Sequence, residues 1–292
     1  MIKQFRRFLF HQYSKLVHFW YTRLMLSRIR DRHRASFRSA RSFCLFAGYP
    51  RSGHTLIGAL LNAHPEMLIA HELNVLTYVK QNYDRDTLFA KLVGRDKWFA
   101  ARGNVWTGYS YKVPGQWQGR FTELKVIGDK RGGRTSRELY HDPGLLDQLQ
   151  AAVGIPVKII HIIRNPFDNI ATRARGGNYY NREVNKEGLH REIERHFVEV
   201  EGIERIRKKN RYAIYELRHE EFIEDPGKHL TDMCRFLGVE PHQDYLEACL
   251  SILRKSTHKS RNKIDWDQQS IDTIYEHLNK YEFLKGYTFG NE

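Results

Sequence analysis

Short, continuous apolar runs alternate along this chain with segments whose apolar residues recur every three or four positions. Phe43-Cys44-Leu45-Phe46-Ala47, Met67-Leu68-Ile69-Ala70, Lys125-Val126-Ile127-Gly128 and Val157-Lys158-Ile159-Ile160-His161-Ile162-Ile163 are runs of the first kind. Such runs suit parallel strands covered on both faces. Between and after them the spacing predicts helices over 54–63, 74–82, 136–151, 167–175 and 186–209, a strand over 212–217, and helices over 226–237, 242–253 and 268–280. The alternating order predicts an α/β fold, a parallel sheet flanked by helices on both faces. Residues 94–120 break the rhythm, because Trp98, Phe99, Trp106, Tyr109, Tyr111 and Trp117 are interspersed with Gly94, Gly103, Gly108, Pro114, Gly115 and Gly119. This stretch reads as an aromatic loop layer, either core packing or the wall of a pocket, and not as a regular helix. We find no repeat or low-complexity linker, and a chain of 292 residues is long enough for one large core.

Charge changes this picture only at the N-terminus. Net charge is +14, yet residues 1–41 hold eleven Lys/Arg against the single acid Asp31, while the remainder has thirty-seven basic and thirty-three acidic residues. The chain therefore divides into a basic arm, 1–41, and a folded domain, 42–292. Phe5, Phe8, Leu9, Leu16, Phe19, Trp20, Leu24, Met25 and Leu26 interleave with Arg6, Arg7, Lys15, Arg23 and Arg28 in the pattern of a basic amphipathic helix. Such a helix could lie on an anionic membrane, on a partner or on the domain itself; nucleic acid is the weaker option. No uncharged apolar run approaches the roughly 18 residues of a spanning helix. No uninterrupted apolar region follows the basic start, so neither secretion nor a membrane anchor is expected. Cys44, Cys234 and Cys249 lie far apart without a C-x-x-C pair, which points to a reducing, cytoplasmic setting and to no zinc site.

Three segments carry candidate chemistry. Residues 48–55 read Gly-Tyr-Pro-Arg-Ser-Gly-His-Thr between the first strand and the first helix. Once Pro50 and Gly53 bend the chain, N–H groups at the helix start face outward with the helix dipole behind them and Arg51 alongside, which makes an anion cradle. No Lys precedes Thr55, so the Gly-x-x-x-x-Gly-Lys-Ser/Thr loop of ordinary NTPases is not met. At the end of the strand over 157–163 come Arg164-Asn165-Pro166-Phe167-Asp168 and then Thr172, where a guanidinium fork can grip phosphate oxygens at two points. The third segment is Arg218-His219-Glu220-Glu221-Phe222-Ile223-Glu224-Asp225-Pro226, followed by Leu230 and Phe236-Leu237-Gly238.

In order and spacing these segments resemble, over about residues 43–285, the sulfotransferases that use 3′-phosphoadenosine 5′-phosphosulfate (PAPS). The resemblance implies a P-loop NTPase-like sulfotransferase fold and in-line transfer of a sulfuryl group from PAPS to an alcohol or phenol hydroxyl, without a metal or a covalent enzyme intermediate. It implies that Arg51, Ser52, Gly53, His54 and Thr55 hold the 5′-phosphosulfate, with His54 in place of the family's first Thr. Arg164 and Thr172, the latter replacing a Ser, then bind the 3′-phosphate. His219 stands where the family has a Tyr near the nucleotide, and Arg261 and Lys263 fall in the basic loop that closes the 3′-phosphate site. The segment from Leu61 to Glu72 resembles the tyrosylprotein branch, in which a Glu twenty-one positions after the loop Arg, as Glu72 is after Arg51, is the proposed general base. His71 is the adjacent rival, and stabilising a helix start is the plainer role for Glu72. Lys130 resembles the family's Lys that holds the oxygen bridging sulfur and phosphorus, with Arg131 and Arg134 as substitutes. The acceptor is a small molecule, a carbohydrate or a tyrosine side chain. A nucleotide-dependent kinase and a non-catalytic nucleotide- or membrane-binding module are the competing readings.

Overall fold

β1 (Ser42–Gly48) is buried at every position and lies at the centre of a five-stranded sheet. The computed structural model describes residues 24–177, 182–253 and 259–290. The strand order is β2 (Met67–His71), β5 (Val126–Lys130), β1, β6 (Val157–Ile163), β7 (Ala213–Arg218), and every pairing is parallel. A parallel sheet must be covered on both faces, and alternation along β1 meets that demand: Phe43, Leu45 and Ala47 enter one apolar cluster, Cys44 and Phe46 another. Against the first cluster pack α1 (24–39), α3 (Val75–Val79), α4 (Arg85–Ala101) and α6 (Leu145–Val153). The second is closed by α2 (His54–Leu61), α9 (His219–Glu224), α10 (Pro226–Leu237) and α11 (Gln243–Ser251). A third cluster around Tyr49, Phe167, Phe197 and Ile274 joins α7 (Pro166–Ala174), α8 (Lys186–Lys209) and α12 (Gln268–Lys280). From β1 the chain first moves to β2 on one side and later to β6 on the other. That reversal opens a crevice at the carboxyl ends of the central strands, where ligands of open α/β sheets bind.

Two element predictions need correction. Residues 94–120 are not one loop layer, because α4 continues to Ala101; the irregular stretch starts only after it and carries the small hairpin β3 (Val105–Trp106) and β4 (Tyr109–Ser110). Asp84 starts α4 by accepting the Thr87 N–H at 3.0 Å. Gly94 lies within α4 facing α1, and a Cβ there would stand 3.4 Å from Ile29 Cδ1, an ordinary contact, so it is not punctuation. The single helix expected over 136–151 is two, α5 (Gly132–His141) and α6, parted at Asp142-Pro143-Gly144. Proline disfavours helical backbone in the residue before it, and Asp142 has φ −140°.

The part of the basic arm that is described belongs to the domain surface. Phe37 of α1 is buried against Phe89, ring centroids 5.5 Å apart, and Arg85 donates to the Phe37 carbonyl at 2.9 Å. The rest of the arm, residues 1–23, lies outside the described residues. Among the described residues no helix is long and apolar enough to cross a membrane.

α8 meets α5 at Gly202, where a Cβ would come within 2.1 Å of the Ser136 carbonyl oxygen. We expect Gly202→Ala to cost about 2 kcal/mol of stability through overpacking. The readout is a lower urea midpoint at unchanged slope; an unchanged midpoint would show that this contact does not limit helix approach.

Candidate active site

A cleft of about 790 Å³ opens above the carboxyl ends of the central strands, lined by the turn after β1, Glu72, the β3–β4 hairpin, residues 130–134 with Arg137, and Arg164, Thr172 and His219. The turn after β1 is left-handed at Gly48 (φ 136°), Arg51 (φ 74°) and Gly53 (φ 91°), a region that costs a residue with a Cβ. Distant elements hold it there. Ser136 Oγ accepts the Gly48 N–H at 2.8 Å and donates to the Gly48 carbonyl at 2.7 Å. Asn169 Nδ2 donates to Ser52 Oγ at 2.9 Å, and Arg164 Nη1 donates to the Arg51 carbonyl at 2.7 Å. α2 then begins with no side-chain cap, as do α3, α5, α6, α9 and α11, while α4, α7, α8, α10 and α12 each carry an Asp or Asn cap. Its outward N–H groups and positive dipole end suit an anion.

The turn's own side chains take different parts. Ser52 is fully buried and ties the turn to α7, so its hydroxyl does not line the cleft. Arg51 reaches sideways to Gly177, where a Cβ would lie 2.2 Å from its Nη2. His54 turns its ring under the turn, with Nε2 3.1 Å from the Ala47 carbonyl, and burial holds its pKa down to about 3. The ring is thus neutral and donates inward; His54 offers the cleft its main chain. His219 packs on Gly53, where a Cβ would meet His219 Cδ2 at 2.6 Å. Burial and then the Arg164 charge bring His219 down to about 3, and its Nδ1 is buried without a partner.

Glu72 and Lys130 meet on the far side of the turn. Glu72 has φ 56°, and its N–H donates to the Lys130 carbonyl at 3.2 Å. The clamp on this strained turn is Asp129, which the sequence reading passed over: its carboxylate accepts the N–H groups of Leu73 at 2.9 Å and Val75 at 2.8 Å. Burial pushes the Asp129 carboxyl up to about 6 despite those bonds. Lys130 crosses α2 at Gly58, where a Cβ would be 2.7 Å from Lys130 Cγ. Its Nζ donates to Thr55 Oγ1 at 3.1 Å and to Glu72 Oε1 at 2.9 Å, while Arg131 Nη1 pairs with Glu72 Oε2. Burial alone would raise the Glu72 pKa, but the charges of Lys130, Arg131 and Arg95 win and leave it below the ordinary value. Beneath the turn lies another group of residues that sequence reading missed: Tyr49 OH is 2.9 Å from His161 Nε2, and His161 Nδ1 is 3.3 Å from Glu216 Oε1. The one available signal was a histidine inside an apolar strand.

Arg164 and Thr172 both line the cleft; the Thr172 hydroxyl donates to the Asp168 carbonyl at 2.8 Å, leaving its lone pairs as acceptors. Besides Ser52, three further candidate residues lie outside the cleft lining. Arg261 is buried, with its N–H and Nη1 both donating to the Asp168 carboxylate at 2.9 and 2.6 Å; its neighbour Ser260 lines the cleft instead. Lys263 is exposed and outside the lining. His71 lies outside it too, stacked on Phe99 with centroids 3.9 Å apart and edge-on to Trp106. Burial brings its pKa down to about 2, so it backs the hairpin wall as a neutral ring and does not reach the cleft as a base.

Residues 156–244, from the start of β6 to the start of α11, match the profile described as "Sulfotransferase family". The match is confined to that segment. It carries Arg164, Thr172 and His219 but not the turn after β1, Glu72 or Lys130. No curated protein matches the chain in sequence. Among solved structures, sulfotransferase STF9 from Mycobacterium avium aligns over 89% of this chain and 82% of its own at TM-score 0.50 and 10% identity. The sulfotransferase domain of the Synechococcus PCC 7002 olefin synthase covers 80% and 83% at TM-score 0.44 and 18% identity. A mouse sulfotransferase complexed with PAP covers 83% and 84% at TM-score 0.42 and 14% identity. At such identities the likeness is one of fold, and the parallel sheet with helices on both faces is that fold.

The lowered Glu72 pKa gives a signed expectation. A depressed carboxyl contributes stability above its unfolded value of 4.5, and that contribution disappears as pH falls through the folded value. Glu72→Gln should therefore destabilise at neutral pH, by on the order of 2 kcal/mol, and the gap from wild type should close in acid below pH 4.5. Urea titrations across pH measure it. A gap that stays constant down to acid pH would contradict the ion pair.

Proposed function

We propose that this chain transfers the sulfuryl group of PAPS to a hydroxyl acceptor. The observation that carries the reading is convergence on one cleft of the uncapped start of α2, the Arg164 and Thr172 pair, and the Glu72–Lys130 pair. Three features fit the nucleotide: N–H groups left without a side-chain cap, a Gly53 site closed to a Cβ by the Cδ2–Nε2 edge of His219, and a His219 Nδ1 that is buried without a partner. The α2 start, Arg51 and Thr55 would hold the 5′-phosphosulfate, Arg164 and Thr172 the 3′-phosphate, and His219 the nucleoside side. PAPS supplies an activated sulfuryl group.

The chain's part is position and charge. Lys130, held between Thr55 and Glu72, is placed to move its ammonium toward negative charge growing on the leaving oxygen. As Lys130 and Arg131 turn to that charge, Glu72 loses the partners that depress its pKa, and its basicity rises when a proton must be taken from the acceptor hydroxyl. Trp106, Tyr109 and Tyr111 wall the cleft against water and the acceptor lies along them. In this reading the basic arm, 1–41, whose α1 part exposes Leu24 and Met25, serves peripheral contact with an anionic membrane.

Heat-denaturation in the presence of 3′-phosphoadenosine 5′-phosphate or ATP tests the nucleotide assignment: the bisphosphate should raise Tm more, and greater stabilisation by ATP would turn the reading toward a kinase. Arg164→Lys, which keeps the charge but loses the fork, should weaken the bisphosphate about tenfold. Glu72→Gln should bind it as wild type does yet transfer no sulfate to a phenol or sugar pool. Undiminished turnover by that variant would remove Glu72 from the base role.

A further inference from the structure

Three carboxylates beside the cleft are each shared by two cations. Glu72 bridges Lys130 and Arg131; Glu138 bridges Arg134 and Lys80; Glu199 bridges Arg137 and Arg173. Arg131, Arg134 and Arg137 recur every third position from the start of α5, and all three line the cleft. None of the three pairs is tight on the α5 side beyond Arg131: Arg134 Nε is 3.3 Å from Glu138 and Arg137 Nε is 3.6 Å from Glu199, and both side chains are close to half exposed. Among the described lining residues the cations are Arg51, Lys130, Arg131, Arg134, Arg137 and Arg164, and the acid is Glu72.

The nucleotide does not use up this charge. In the sulfotransferase reading Arg51, Lys130, Arg164 and the α2 start would take its two anionic ends, leaving Arg134 and Arg137 farther along α5, each sharing its carboxylate with a second cation. The β3–β4 hairpin supplies Trp106, Tyr109 and Tyr111 to the same lining, flat apolar surfaces that suit a sugar or phenol ring. We propose, resting on the sulfotransferase reading above, that the acceptor is itself an anion: a ring bearing the reactive hydroxyl and a carboxylate, sulfate or phosphate held by Arg134 and Arg137. A guanidinium pair recognises any of those groups by two-point hydrogen bonding. The surplus cations would then discriminate against neutral hydroxyl compounds and steer the charged one into the cleft.

The experiment uses the full chain saturated with 3′-phosphoadenosine 5′-phosphate and titrates two near-isosteric ring compounds, 4-nitrophenyl β-D-glucuronide and 4-nitrophenyl β-D-glucoside, with 4-hydroxyphenylacetate and 4-ethylphenol as the phenol pair. The anionic member should bind about tenfold tighter, with the advantage shrinking in high salt. Which pair shows it tells sugar from phenol. The preference should vanish in the Arg134→Gln/Arg137→Gln double variant and shrink without vanishing in the double Lys variant, which keeps the charge but loses the fork, while affinity for the bisphosphate stays at the wild-type value in both. Equal binding of charged and neutral members, no measurable binding of either anion, or a preference that survives the Gln variant would each overturn the proposal. Failure to bind the bisphosphate at all would strike the sulfotransferase reading instead, and is seen before any acceptor is added.

Discussion

A buried ammonium stays charged only beside a partner that repays its lost hydration, and the cleft is built around one such pair, Lys130 with Glu72. Lys130 is almost wholly buried, and burial pulls its pKa below the ordinary value while the Glu72 carboxylate opposes that fall. The pair forms because two backbone features bring its members together. β2 and β5 are parallel neighbours with His71 opposite Lys130, which sets the residue after β2 next to the end of β5. Glu72 then adopts a left-handed backbone, and Asp129, one residue before Lys130, grips the N–H groups that follow. Adjacent residues on β5 point to opposite faces. Asp129 therefore steadies the turn from one side of the sheet while Lys130 meets the turn's carboxylate from the other.

The strained turn after β1 follows the same logic of support from afar. Its three left-handed residues are fixed by Ser136, Asn169 and Arg164, which belong to α5, α7 and the end of β6. Those elements converge because β1 sits between β5 and β6, so the helix or turn following each neighbour overhangs the turn that follows β1. Strain at a ligand site persists only where surroundings over-determine it. Here each support, whether the short Ser136 and Asn169 or the long Arg164, is a buried side chain bonded to a main-chain or side-chain partner in the turn.

Local signals made much of this legible. Continuous apolar runs announced β1, β2, β5 and β6, and the Pro-Arg-Ser-Gly motif announced the tight turn between β1 and α2. Arg164 and Thr172 were legible from strand-end position and spacing, and they do line the same cleft. What escaped depended on tertiary neighbours. Asp129 and Ser136 look like ordinary polar residues until the register shows which amides they face. Gly94 looks like a helix breaker, yet α4 runs through it. Arg261 looks like a phosphate ligand until Asp168 is found holding it. Arg137 carried no signal at all until α5 was shown to begin at Gly132, which turned Arg131, Arg134 and Arg137 into a row.

Histidine was the residue type least readable from sequence, since its charge is decided by burial. His54, His71 and His219 all stood beside the expected chemistry, and burial leaves each of them neutral far below physiological pH. His161, behind the turn, is also pushed down by burial, and its neutral ring can accept from Tyr49 while donating to Glu216. The consequence is a division of labour. Imidazoles form the floor and back wall of the cleft as neutral packing groups, His54 and His161 with hydrogen bonds of their own, so the positive potential comes from Arg and Lys. Protonating a floor histidine would break the bond from its ring to the Ala47 carbonyl only if the ring turned, yet would place a new charge under the anion cradle without solvent to stabilise it. Keeping those rings neutral lets the turn hold one shape whatever anion occupies it, and leaves Glu72 as the carboxylate in the lining whose basicity a bound ligand can change.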